Sequence, residues 1–156
     1  MTRIDIPADK REKLCALLNT NLAGGLDLAL AIKQAHWNVK GPTFRELHEL
    51  FDMLRTNIDV HNDDMAERIA TLGGTAKGTV QAVTSTTKLP AFPIDDHNGA
   101  SLTTALADRY AAHGKSVRAA IDESAALGDA VSADLFTGIT RGLDKDLWFL
   151  ESHLAK

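Results

Sequence analysis

The chain has a single cysteine, Cys15, so no internal disulfide framework holds it together, and a reducing cytosol suits it. It has no unbroken run of about 20 apolar residues of the kind that spans a bilayer. The opening MTRIDIPADKREKL lacks the apolar stretch of a secretory signal, so a cytoplasmic location is expected. Positive charge is not in excess: 17 Lys and Arg stand against 21 Asp and Glu, a formal net charge of −4. That balance argues against whole-surface attraction to nucleic acid or anionic membrane. Proline is scarce, and Pro7, Pro42, Pro90 and Pro93 all fall where helical patterns start or stop. No internal repeat or low-complexity tract is present.

What remains is ordinary for a globular protein, with 44% hydrophobic and 24% charged residues over 156 positions. The length fits one domain, 1–156, with residues 1–6 as a short N-terminal tail. Residues 7 to about 39 form a first helix, with Leu14, Leu18, Leu22, Leu26 and Leu30 recurring every fourth position. Gly24 and Gly25 inside it mark either a kink or a close helix contact. Thr43 and Glu46 make a T-x-x-E capping box that opens a second helix, 43–72, stopped by Gly73-Gly74. Residues 75–99 form a long connection in which Thr79 to Thr84 suit a short helix. A third long helix runs from about Asn98 to Ala126. A fourth runs to about His153, with Leu135, Ile139, Leu143, Leu147, Leu150 and Leu154 on one side. Four long helices with one long crossover predict an all-α, ferritin-like four-helix bundle.

Five residues carry the chemistry: His36, His48, Asp52, Asp63 and Glu67. Two imidazoles and three carboxylates are a donor set that iron accepts. His48 and Asp52 are four apart, as are Asp63 and Glu67, so each pair shares a helix face. With Leu47 as the zero of a helical wheel, the four fall at about 100°, 140°, 160° and 200°. The apolar stripe of Leu47, Phe51, Leu54, Ile58, Met65, Ile69 and Leu72 lies on the opposite side. A rise of 1.5 Å per residue separates the two pairs by about 16 Å, too far to hold one metal. The candidate ligands also face away from the bundle core, and no Glu-x-x-His pair exists, which excludes a conventional intrabundle di-iron site. A polar stripe opposite an apolar one also suits any solvated surface helix. His36, beside the turn that leads back towards His48, adds a second imidazole and favours a site. An antiparallel two-fold pairing of the second helix, crossing near residue 57 or 58, would bring His48 opposite Glu67 and Asp52 opposite Asp63. Such an isologous contact occurs twice per dimer, giving two mixed sites.

The stretch KQAHWNVKGPTFRELHELFD, followed by DDMAERIATLGG, resembles the Dps family of bacterial mini-ferritins. The family pattern of His, His twelve on, Asp four on, Asp eleven on and Glu four on fits His36, His48, Asp52, Asp63 and Glu67 without a gap. ADRYAAHGKSVRAAID and RGLDKDLWFLES are similar to the third and fourth helices of that family. The resemblance implies a hollow dodecamer that oxidises Fe(II), preferring hydrogen peroxide to oxygen, and stores the ferric product as mineral. It assigns His36, His48 and Asp52 to one subunit and Asp63 and Glu67 to its neighbour. A Trp at the place of Trp37 lies near the iron site in such proteins, and either takes up an oxidising equivalent or simply packs. Asp129 and Asp134 match positions lining acidic three-fold pores, though Asp129 equally suits a helix N-cap. Gly142 falls where relatives carry Asp. Arg68 and Asp144 are expected to pair.

Among the remaining residues, Trp148 is expected in the core of the fourth helix, and His61, near the apolar stripe, is expected to be a satisfied core histidine rather than a ligand. His97, His113 and His153 receive no role, and Glu49 and Asp59 either nucleate mineral or are solvated. Tight DNA binding in this family usually employs a mobile Lys-rich tail. Here Arg3, Lys10, Arg11 and Lys13 face Asp5, Asp9 and Glu12, so DNA binding is expected to be weak. The rival reading is a nucleoid protein that shields DNA physically, with iron chemistry secondary. A helical bundle without metal is the third.

Overall fold

The computed structural model describes residues 2–155, and its regular structure is helical: α1 (Ala8–Asn38), α2 (Phe44–Thr71), α3 (Val80–Thr86), α4 (Gly99–Ala126) and α5 (Ala130–Leu154). The four long helices pack as a bundle, and the connection from α2 to α4 crosses over with α3 inside it. Contacts fix the directions. Gly25 meets Asn62 and His36 meets His48, so α1 and α2 are antiparallel. Asn57 meets Asp146 and Arg68 meets Asp129, so α2 and α5 are antiparallel too. One apolar core joins Leu18 and Ile32 of α1, Phe51 and Ile58 of α2, Leu106 and Val117 of α4, and Phe136 and Leu150 of α5. Fully burying a side chain of that size stabilises the fold by about 1.5–3 kcal/mol.

Helix ends follow local chemistry in most places. Asn98 and Asp129 cap α4 and α5 by accepting from the backbone N–H groups of Ser101 and Val131. Gly73 and Gly128 close α2 and α4 with φ of +84° each, which a Cβ would resist. The expected short helix extends to Thr86, with Thr79 as its cap. The Thr43–Glu46 capping box does not form. Thr43 makes no side-chain cap bond, and its backbone, at φ −99° and ψ 22°, lies outside the extended conformation usual for an N-cap, while the Phe44 N–H closes a turn onto the Gly41 carbonyl at 3.1 Å.

Two packing expectations need correction, and one open alternative is decided. Leu14, Leu18 and Leu22 are buried, Leu26 is half-buried and Leu30 is 57% exposed. An every-fourth spacing drifts about 40° per step, so the leucine line rotates out of the core. Trp148 is 59% exposed rather than in the core, since it points about 140° from buried Leu143 on α5. The glycine pair marks a close contact. A Cβ on Gly24 would stand 2.9 Å from His113 Nδ1, and one on Gly25 only 2.0 Å from Asn62 Oδ1. α1 contains an 18-residue window of mean hydropathy 1.4, long and apolar enough to cross a membrane, and 56% of that window is buried in the bundle. Its buried leucines are core positions of the four-helix packing.

Candidate metal centre

The junction of α1 and α2 builds a compact double-imidazole unit. His36 lies in the last turn of α1 and His48 in the second turn of α2. Their rings stack at 3.7 Å between centroids, 20° from parallel. His36 Nδ1 lies 2.8 Å from the His48 carbonyl oxygen, and His48 Nδ1 lies 2.8 Å from the His36 carbonyl oxygen. A carbonyl only accepts, so each Nδ1 carries the proton and each Nε2 keeps its lone pair. Such a bond fixes tautomer and ring orientation for a metal-binding imidazole. The loop between them is held as well. Lys40 N–H donates to the His97 carbonyl at 2.9 Å, and His97 Nδ1 lies 3.0 Å from the Asn38 carbonyl oxygen.

Asp52 stands one turn beyond His48 and is exposed, as the four-residue spacing requires. The Lys33 ammonium, on α1 one turn before His36, forms an ion pair with it. That hydrogen bond is the main reason the Asp52 carboxyl is held below its ordinary value, with smaller help from His36 and His48. A cation approaching Asp52 must displace or share with this ammonium. Nothing in the spacing of the candidate ligands singled out Lys33, although its place three residues before His36 puts it on the same face of α1. Phe44 covers one side of His48, with ring centroids 5.1 Å apart. Trp37 is 69% exposed, so it is not packed within the subunit.

Asp63 and Glu67 lie exposed further along α2, on the stripe that carries Asp52. The eleven residues between Asp52 and Asp63 keep them about 16 Å apart along a continuous helix. The two imidazoles are therefore brought together, Asp52 stands one turn away paired with Lys33, and Asp63 and Glu67 lie apart. Among the described residues, no group of three or more His, Cys, Asp and Glu side chains is close enough to hold a metal ion.

The other acidic residues have local duties. Glu49 pairs with Arg45 at 2.9 Å and Asp59 with Arg55 at 2.7 Å. Asp129 is buried, capping α5 and pairing with Arg68 at 2.8 Å and with the Ser132 hydroxyl. This decides its role for the cap, and the carboxylate does not line a surface. Within the subunit Arg68 pairs with Asp129, and both oxygens of Asp144 accept from one Arg118 nitrogen at 2.8 Å, so an Arg68–Asp144 bridge would have to join two subunits. Asp134 is exposed. His61 is half-buried beside Gly142, and desolvation lowers its pKa. His113, given no role by its sequence neighbours, is 1% exposed, and burial pushes it down to about 4. The aligned glycines of α1 were the available sign of that large buried ring.

Comparison with known proteins agrees with this architecture. The ferritin-like domain family matches residues 15–156. The DNA protection during starvation protein of Agrobacterium fabrum is 49% identical over 155 residues, covering 99% of this chain and 96% of that protein. The tetragonal form of Mycobacterium smegmatis Dps superposes with a TM-score of 0.95 at 31% identity, covering 100% of this chain and 94% of that one. DpsA14 from Streptomyces coelicolor gives a TM-score of 0.94 at 34% identity, covering 99% and 92%. Similarity of sequence and of fold along nearly the whole length places this chain in the Dps family of ferritin-like proteins.

Proposed function

We propose that the chain is a ferroxidase subunit of a hollow dodecamer that oxidises Fe(II), preferably with hydrogen peroxide, and stores the ferric product as mineral. His36, His48 and Asp52 of one subunit and Asp63 and Glu67 of its two-fold neighbour bind the iron substrate. The observation that carries this reading is the reciprocal lock of His36 and His48, which leaves both Nε2 lone pairs free one helical turn from the exposed Asp52. The other two proposed donors, Asp63 and Glu67, stand further along the same stripe of α2. Imidazole and carboxylate donors suit Fe(II) and leave coordination positions open for oxidant. Two ferrous ions supply the two electrons that reduce one peroxide to two hydroxide ions, so no hydroxyl radical need be released. Trp37, exposed next to His36, is placed to give up an electron should oxidation stop at one equivalent. Protection of DNA follows from removing both reactants, within the cytoplasm, without tight binding to the nucleic acid.

Complementation between subunits tests the shared centre. Assemblies of His48→Ala subunits alone, or Asp63→Ala subunits alone, should lose peroxide-dependent Fe(II) oxidation. Randomly mixed assemblies should regain roughly a quarter of wild-type activity, because each hybrid two-fold dimer contains one intact and one doubly damaged site. Mixed assemblies no more active than the pure variants would show that each subunit gathers its own donors.

A further inference from the structure

The face between α2 and α5 carries polar side chains that the shared centre does not use. Asn57 and His61 stand one turn apart on α2, and Gly142 and Asp146 stand one turn apart on α5. Together with Val60 and Lys145 they line a cavity of about 270 Å³. His61 reaches across to α5, its Nε2 lying 2.3 Å from the point a Cβ on residue 142 would occupy, so glycine leaves room for the ring. Side chains on a helix lean towards its N-terminus, so Asp146 leans towards Gly142, the position against which the imidazole stands.

Asp146 is 2% exposed. Its Oδ1 accepts from Asn57 Nδ2 at 2.8 Å, while its Oδ2 is buried without a hydrogen-bond partner. The Tyr110 hydroxyl of α4 faces this carboxylate and helps stabilise its charged form, although the pair falls short of full hydrogen-bond geometry. None of the ion pairs among the described residues includes Asp146. The adjacent Lys145 instead lays its Nζ over the Phe149 ring, 5.8 Å from the centroid. Burial raises the Asp146 carboxyl to about 6 against the opposing pull of Asn57, Tyr110 and Lys145, so at neutral pH it is an anion in a dry setting with no cation paired to it. Such a group is costly until a cation neutralises it. A carboxylate oxygen, an imidazole nitrogen and an amide oxygen form a donor set that divalent first-row metals accept.

We propose that His61, Asp146 and Asn57 form a binding site within each subunit for a divalent first-row transition cation, held in the cavity between α2 and α5 with water completing its coordination. The site is distinct from the shared centre. On the wheel of α2, Asn57 and His61 fall at about 280° and 320°, towards α5, whereas His48, Asp52, Asp63 and Glu67 occupy the outward side.

Cobalt(II) provides the test on the assembled protein after treatment with chelator. Saturable uptake is counted by equilibrium dialysis for the wild type, for Asp146→Asn, for a His48→Ala, Asp63→Ala double variant, and for the triple variant. Asp146→Asn should bind one cobalt per subunit fewer than its parent in both backgrounds. His61→Gln should alter the visible absorption of that cobalt, and uptake at the site should decline as the pH falls through about 6. Equal counts with and without Asp146→Asn in both backgrounds would overturn the proposal, as would uptake that never saturates. A double variant that keeps the wild-type count bears on the shared centre alone. Should Asp146→Asn fail to assemble, the cobalt count of His61→Gln decides the same question.

Discussion

His113 and Asp146 are buried in one bundle and are displaced in opposite senses by the same cause, the loss of water. His113 falls from 6.5 to about 4, so between those values the unfolded chain binds the proton and stability drops as the pH falls. Asp146 rises from 3.8 to about 6, so across that window the folded chain binds the proton and stability grows as the pH falls. Each shift corresponds to something on the order of 3 kcal/mol, and the two largely cancel between about pH 4 and 6. Single substitutions should expose the hidden terms. His113→Gln should make the protein more stable on acidification than the wild type, and Asp146→Asn less stable. Denaturant midpoints measured at several pH values check both signs. Neither residue stood out in the sequence. His113 had no acidic or imidazole neighbour at ligand spacing, and Asp146 interrupts an apolar face among Leu143, Leu147 and Leu150. Burial of a charged type is a property of packing, and residue spacing along one chain does not report it.

At the level of the element, the helices were legible because the period of each was supported by a cap, a proline or a glycine stop at one end or the other. The bounds of α2, α4 and α5 follow from Gly73, Asn98, Gly128 and Asp129. What the pattern could not give was side-chain direction over long stretches. The drift of the α1 leucines and the outward turn of Trp148 both come from the mismatch between sequence spacing and 3.6 residues per turn. The donor stripe of α2 was legible for the same geometric reason, since four-residue steps survive over one turn. Lys33 was not, because ion pairing between α1 and α2 depends on how the two helices are set side by side. The Gly24-Gly25 pair shows how tight that setting is. Gly25→Ala would place a methyl 2.0 Å from Asn62 Oδ1 and 3.4 Å from His113 Nε2, both within the bundle. Forcing the helices apart there should cost about 1–3 kcal/mol and lower the thermal midpoint by several degrees. Differential scanning calorimetry of the variant against the wild type measures it, and an unchanged midpoint would mean that α1 shifts without penalty.

The whole molecule presents an acidic balance, and the segment from Thr2 to Arg11 is tied down. The Thr2 hydroxyl donates to the Thr71 carbonyl at 3.0 Å, and Arg11 donates to the Ile6 carbonyl, which holds the N-terminal segment near the bundle. A mobile cationic arm, which would release counterions from phosphates, is not formed by these residues. Gel retardation of duplex DNA should therefore be absent at about 0.15 M salt and appear, if at all, only at low ionic strength. Strong retardation near physiological salt would restore the nucleoid reading to first place. The two imidazoles bear on the molecule as a whole in another way. Each ring is aimed by an oxygen of the polypeptide backbone, which every residue type possesses. Changes among surrounding side chains can thus accumulate while the donors keep their bearing, and loss of one histidine leaves its companion still pointed. Orientation here is inherited from the path of the chain, so a one-residue insertion in the turn between α1 and α2 should do more harm than most substitutions around it.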